Sequence, residues 1–504
     1  MALRWAKARK VRVAVVAAGG AFLVMAGMAL GQAGTQASPL VEFPDEHGRV
    51  GVLMPRTDDA AAFFDTTLSP TGRACVTCHQ PSDAMSISAA TVRSLWQRTK
   101  GHDPIFFPSD GSNCPSLPQD KPESHSLLLK RGLFRIGLAW PPKARDGTPI
   151  TPEFDIEVIS DPTGCNLDPH YGLHSVKPTI SVFRRPRPTA NLTLIDTYPW
   201  RNSYNFKTGR PFETDPETGR YVSMNLMSDA RALTLPDQAR QALRDHMNVP
   251  KPDPAVVDKI VRFERGVFMA QSFSKSGGPL DGADAPEAIG PTHLSKVTSI
   301  ANGDKYILPV FHSLDAWRPK PGQKLSPQTA FLASVARGYD VFFLRPFYIR
   351  DAMGINSIGL GNPIKRTCST CHMGEFTGND IINGTMDTGT VNTQTRGTAR
   401  AFYDDLARDL PLFRIRCKAS AKPQPFLGRD IVTLDPGRAL ITGRCSDVGS
   451  ITLQQFRGLS ARAPYFASGS AANFAQLIDF YDTRFEMRLT PREKIDLANF
   501  LSVL

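Results

Sequence analysis

Two five-residue stretches, Cys75-Val76-Thr77-Cys78-His79 and Cys368-Ser369-Thr370-Cys371-His372, each set two thiols one turn apart with an imidazole directly after the second. Thiols at that spacing can add to the two vinyl groups of a porphyrin, and the adjoining imidazole can then meet the iron. A zinc half-site or a redox Cys-x-x-Cys pair needs no histidine at that position. The two stretches therefore predict two covalently bound haem c groups, held by Cys75, Cys78, Cys368 and Cys371, with His79 and His372 as axial iron ligands. What fills each sixth position separates electron transfer from reaction with peroxide or oxygen. No histidine follows His372, and Met373 is its immediate neighbour, so Tyr481 and Met487 are the candidates for the second iron. For the first iron the other histidines, His47, His102, His125, His170, His174, His246, His293 and His312, carry no motif that selects one of them.

The segments that must position these groups are partly legible. A helical pattern precedes each motif, in DDAAAFFDTTLSPTGRA and in TAFLASVARGYDVFFLRPF. Val257, Ile260, Val261, Phe263, Val267 and Phe268 predict a helix over Pro254 to Phe273. Phe474, Leu477, Ile478 and Tyr481 recur at i, i+3, i+4 and i+7, one face of a helix. Thr490, Pro491 and Glu493 spell an N-cap, a first-turn proline and a capping-box acid for a terminal helix. No run shows a persuasive strand alternation. The expectation is a mainly α chain with two cytochrome c-like haem domains and long irregular, proline-rich inserts. Its divisions would be a leader at 1–33, an N-terminal haem domain at 34–273, a bridge at 274–324 and a C-terminal haem domain at 325–504.

Arg4, Lys7, Arg9, Lys10 and Arg12 precede an apolar run from Val13 to Leu30 and then small residues, the pattern of a cleaved secretory signal. An uncleaved membrane anchor is the alternative. The export this implies places the mature chain in the periplasm. The formal net charge of +11 includes those five basic residues, so the mature chain is close to +6. No dense Lys/Arg run is interleaved with aromatics, which argues against a nucleic-acid partner. Beyond the two motifs the chain has Cys114, Cys165, Cys417 and Cys445, an even set that favours disulfides in an exported protein. Pairing by neighbourhood joins Cys114 to Cys165 and Cys417 to Cys445, one of three possible connectivities.

With its two motifs, the segments VRFERGVFMAQSF and ARGYDVFF, and the tail GLSARAPYFASGSAANFAQLIDFYDTRF followed by LTPREKIDLANFLSVL, the chain resembles the bacterial diheme cytochrome c peroxidase and MauG family. The likeness runs from about Asp58 to the C-terminus. It implies that the N-terminal haem meets hydrogen peroxide while the C-terminal haem holds an electron. A small periplasmic redox protein, a cytochrome c or a cupredoxin, would be the electron donor. The family ligates its second iron by Met or, in MauG, by Tyr near the end of the helix after APYF, a position held here by Tyr481. The resemblance also implies an inter-haem tryptophan, for which Trp200 in PTANLTLIDTYPW is the candidate, although WRNS stands where the family has WDGR. It implies an acid/base carboxyl, for which Asp229 and then Asp237 in MSDARALTLPDQAR are the candidates. It implies finally a calcium ion bound partly by backbone carbonyls at the places of Arg462 and Pro464. The rival readings are a diheme oxygenase acting on an organic substrate and a diheme electron carrier without catalysis.

Overall fold

The N-terminal strands form a hairpin whose inner strand pairs with a segment more than 200 residues further on. Leu40–Pro44, Gly48–Leu53, Phe268–Ser274 and Gly278–Pro279 form one antiparallel four-stranded sheet in that order. The structure, a computed structural model, describes residues 38–504 apart from 56, 197–203, 206–209, 212–224, 284, 287–288, 297–313, 373–383 and 399. The expected leader, 1–33, lies outside the described residues, and Ser38–Leu504 cluster as one compact unit. Among the described residues no helix is long and apolar enough to cross a membrane.

The expectation of a mainly α class is corrected by the structure, in which 34% of the described residues are helical and 18% are in strands. The helix expected over 254–273 is really Pro254–Gly266, after which Phe268–Ser274 leaves as a strand. That strand is buried along most of its length, so its residues lack the polar alternation that marks a half-exposed strand. A second sheet aligns Phe154–Ser160, Leu412–Cys417 and Asp430–Thr433. Phe154, Phe413, Ile415 and Ile431 from its three strands share a core with Ile180 and Val182. Most strands are short, and two of the pairings, Gly48–Leu53 with Phe268–Ser274 and Phe154–Ser160 with Leu412–Cys417, join segments more than 200 residues apart, which a local reading of sequence cannot see.

Both disulfides form as neighbourhood predicts, Cys114 with Cys165 and Cys417 with Cys445. The second fastens the end of the strand Leu412–Cys417 to the short turn Cys445–Asp447.

The helical expectations hold around both motifs. Asp58–Phe64 precedes the first motif and Pro327–Phe343 the second. Pro327–Phe343 lies against the terminal helix Pro491–Leu501, where Ser334 and Arg337 both donate to the buried Asp496 carboxylate. A Cβ at Gly338 would lie 1.9 Å from the Asp496 carbonyl oxygen, so the helices approach only because that residue is glycine. Thr490 and Glu493 bond reciprocally as a capping box, an arrangement worth about 1 kcal/mol. Phe474–Arg484 forms the helix read from its apolar face, with Phe474 and Ile478 in the core and Leu477 and Tyr481 packed against it.

Candidate functional site

Each Cys-x-x-Cys-His stretch folds as one tight turn. At the first, the Cys78 and His79 amides donate to the Cys75 carbonyl at 3.2 and 3.0 Å, and the Ala74 amide donates to Thr77 Oγ1 at 3.0 Å. At the second, the Cys371 and His372 amides both donate to the Cys368 carbonyl at 3.2 Å. In each case the two thiols and the imidazole line one cavity. The cavities are of similar size, about 1370 Å³ at the first motif and about 1380 Å³ at the second, each volume taking in space open to solvent.

These residues fit haem c. His79 Nδ1 lies 3.2 Å from the Met85 carbonyl, so the Nδ1–H tautomer leaves Nε2 as the nitrogen available to a metal. Burial pushes the His79 imidazole down to about 4, which keeps it in the neutral form that ligates. Burial also pushes the Cys78 and Cys368 thiols up to about 12, the reverse of the lowered pKa of a redox Cys-x-x-Cys pair. Among the described residues no group of three or more His, Cys, Asp or Glu side chains could hold a free metal ion.

The first cavity sets ionisable side chains into a largely apolar lining. Arg73, Arg184, Arg185, Arg187, Arg231 and His246 all line it. Arg73 pairs with the buried Asp110, whose second oxygen is 2.7 Å from His246 Nδ1. Glu264 also lines this cavity, nearly devoid of exposure, and its Oε2 has no hydrogen-bond partner. Burial pushes its carboxyl up to about 8, so it keeps its proton at neutral pH. Sequence reasoning passed over Glu264, although Val257, Ile260, Val261 and Glu264 fall at i, i+3, i+4 and i+7. The helix therefore turns a carboxyl toward the same side as its apolar residues.

The second cavity is apolar and aromatic. Phe342, Phe347, Phe456, Phe485, Tyr481 and Met487 surround His372 there. The Phe456 ring packs 4.3 Å from the His372 ring, and the Tyr481 ring stands nearly perpendicular to it at 6.4 Å. Burial raises the Tyr481 phenol above its ordinary range. Met487 is buried in the same cavity, so both candidates for the sixth position reach it.

The other expected site residues divide. Trp200 lies outside the described residues. Asp229 is fully buried, with Arg184 Nη1 at 2.5 Å and Arg231 Nη1 at 2.8 Å from its Oδ2. Burial alone would raise that carboxyl, but Arg231 and Arg184 outweigh it and hold it at about 2. Asp229 is thus an anion clamped by two guanidinium groups, with no proton to give at neutral pH. Asp237 accepts the Leu233 amide at 3.0 Å in the first turn of the helix Leu235–Met247.

The calcium position does not fit a metal ion. The Arg462 carbonyl already accepts from Arg185 Nη2 at 2.7 Å, and the Arg462 guanidinium folds back onto the Gln455 carbonyl. The Arg185 and Arg462 guanidinium groups therefore stand at the expected calcium position, where a calcium ion would need free oxygens.

No family model matches the chain, and no curated protein matches it. Among solved structures, a MauG-like protein associated with microbial copper homeostasis aligns over 89% of this chain and 90% of its own, at 14% identity and a TM-score of 0.34. A likeness that distant decides nothing about chemistry, which has to come from the residues.

Proposed function

We propose that the chain is an exported two-haem c-type cytochrome that reduces hydrogen peroxide, taking electrons from a small periplasmic redox protein. The observation that carries this reading is a contrast. Two cavities of similar volume each present two thiols and an imidazole, one among ionisable side chains and the other among aromatic rings.

Cys75, Cys78 and His79 would hold one haem, and Cys368, Cys371 and His372 the other. Haem iron supplies the one-electron steps by which peroxide, two electrons and two protons become two molecules of water. The chain supplies the surroundings. Glu264 keeps a proton at neutral pH in the first cavity, where the carboxyl of Asp229 cannot. The aromatic rings around His372 would pack against the second haem, and Tyr481 would offer its iron a phenol oxygen, with Met487 as its competitor. A phenolate favours the ferric state, whereas a thioether favours the reduced one.

The test is a haem count together with steady-state turnover. Denatured protein should retain two haems per chain, and peroxide should oxidise a reduced cytochrome c or cupredoxin at a rate that depends on the enzyme. Two six-coordinate haems indifferent to peroxide would make the chain an electron carrier. Consumption of oxygen with an organic substrate would make it an oxygenase.

A further inference from the structure

We propose that the wall shared by the two cavities is a carboxylate-binding partition, in which Arg185 takes propionates from both haems while Arg187 serves the first and Arg462 the second. This inference rests on the two-haem reading above.

Arg185 and Gln455 line both cavities, whereas Arg187 lines only the first and Arg462 only the second. The neighbouring Arg184 shows how this chain compensates a buried guanidinium when the protein itself does so. It meets Asp435 at 2.7 Å and Asp229 at 2.5 Å. The three arginines of the wall have no such partner. Arg185 donates to the carbonyls of Arg131, Ile87 and Arg462 at 2.9, 2.6 and 2.7 Å. That engages three of the five N–H donors of a guanidinium and leaves two. Arg187 donates to the carbonyls of Asn225, Met227 and Leu453 and to the Thr452 hydroxyl. Arg462 donates to the Gln455 carbonyl, and its Nε has no protein partner. Among the described residues no carboxylate makes an ion pair with any of the three.

Arg185 and Arg462 are buried and Arg187 half-buried, and a guanidinium held there by neutral acceptors, with every carboxylate of the described residues beyond ion-pair reach, is costly, a cost that a leucine or methionine would avoid. Burial, followed by the like charge of Arg462, pushes Arg185 down to about 9 and Arg187 to about 10, against a partial offset from Asp83 and Asp229 respectively, and burial pushes Arg462 to about 10. Asp83 and Asp229 act on Arg185 and Arg187 only from beyond ion-pair distance, which leaves room for carboxylates brought by whatever fills the cavities. A haem c carries two propionate carboxylates on the porphyrin edge away from its thioethers, and two haems bring four. Guanidinium groups bind carboxylates with short, charge-assisted hydrogen bonds. Gln455 stiffens the partition, since its amide donates to the Ala190 carbonyl at 2.8 Å and accepts from Asn191 at 2.9 Å.

A cation beside a propionate disfavours the more positive ferric haem, so removing it lowers the reduction potential. The experiment measures both midpoint potentials of the holoprotein by spectroelectrochemical titration in the unsubstituted chain and in Arg185→Met, Arg185→Lys, Arg187→Met and Arg462→Met. Arg185→Met should move both midpoints down, each by about tenfold in the ratio of oxidised to reduced haem at a fixed potential, about 59 mV for a one-electron couple. Arg185→Lys keeps the charge and should move them less. Arg187→Met should lower only the first haem and Arg462→Met only the second. The partition is overturned if Arg185→Met, still carrying two haems, shifts one midpoint or neither. Should Arg185→Met fail to load haem, the two outer variants decide: each must move its own haem, and an unmoved midpoint in either overturns the proposal. Fewer than two haems in the unsubstituted protein would instead sink the reading beneath it.

Discussion

The two cavities begin from the same five-residue motif, the same tight turn and nearly the same volume, yet their walls differ in kind. The first gathers arginines, His246, Asp110 and a protonated Glu264 around His79, while the second surrounds His372 with phenylalanines, Tyr481 and Met487. A motif therefore specifies attachment but not role. Fixed charges and a carboxyl that keeps its proton suit a polar oxidant, because they can move a proton as bonds break. An apolar aromatic wall with an oxygen or sulfur donor suits a centre that only stores or passes an electron.

Removing attachment at one motif at a time breaks the comparison most severely. Cys75→Ala with Cys78→Ala should lose about half of the covalent haem and all of the turnover with peroxide, since both thioethers of the first haem are gone. Cys368→Ala with Cys371→Ala should also lose half of the haem, yet leave a spectrum that peroxide still changes. Haem extraction into acidified solvent and peroxide titration read both outcomes, and equal behaviour of the two variants would dissolve the distinction.

The next effect is on stability and belongs to the first cavity. Asp229→Asn would leave Arg184 and Arg231 short of a buried counter-charge, at a cost of about 3–5 kcal/mol by denaturant unfolding. In the second cavity Ile478→Val removes one methylene and no charge, and should cost about 1 kcal/mol. A cost for Asp229→Asn as small as that would mean the arginine clamp is not holding the first cavity together.

Glu264→Gln sharpens the contrast by chemistry. It keeps shape and neutrality but has no acidic proton, so peroxide turnover should fall about 10²-fold with the haem count unchanged. The same residue sets the smallest effect, a pH slope. Its carboxyl is about 8 when folded against an ordinary value of 4.5, so the folded state holds the extra proton between those values. Its contribution to stability is complete below about 4.5 and is lost as pH rises toward about 8. Unfolding midpoints should therefore decline over that range in the unsubstituted protein and decline less in Glu264→Gln.

The sequence made the local features legible and hid the distant ones. The motifs, the face of the helix Phe474–Arg484 and the capping box at Thr490 and Glu493 depend on residues within a turn or two, and all are present. Strands Gly48–Leu53 and Phe268–Ser274, or Phe154–Ser160 and Leu412–Cys417, meet only after the chain has wound back on itself. Asp229 stood in a plausible stretch for an acid, but Arg184, 45 residues earlier, decides its charge. Arg185, Gln455 and Arg462 come from separate segments, and none has a sequence pattern that places it on a shared wall. Glu264 was legible and overlooked, because a carboxyl in register with apolar residues reads most readily as one charged position on a helix.

The division of labour between the cavities is tested most directly by the rate at which peroxide changes the ferric spectrum of the unsubstituted, Glu264→Gln and Tyr481→Phe proteins, each carrying two haems. The account predicts a fast change in the unsubstituted protein and about a 10²-fold slower one in Glu264→Gln. In Tyr481→Phe it predicts an undiminished initial rate together with an altered spectrum of the second haem. A rate unaffected by Glu264→Gln but lowered by Tyr481→Phe would contradict it, because peroxide would then be meeting the aromatic cavity and not the one that holds Glu264.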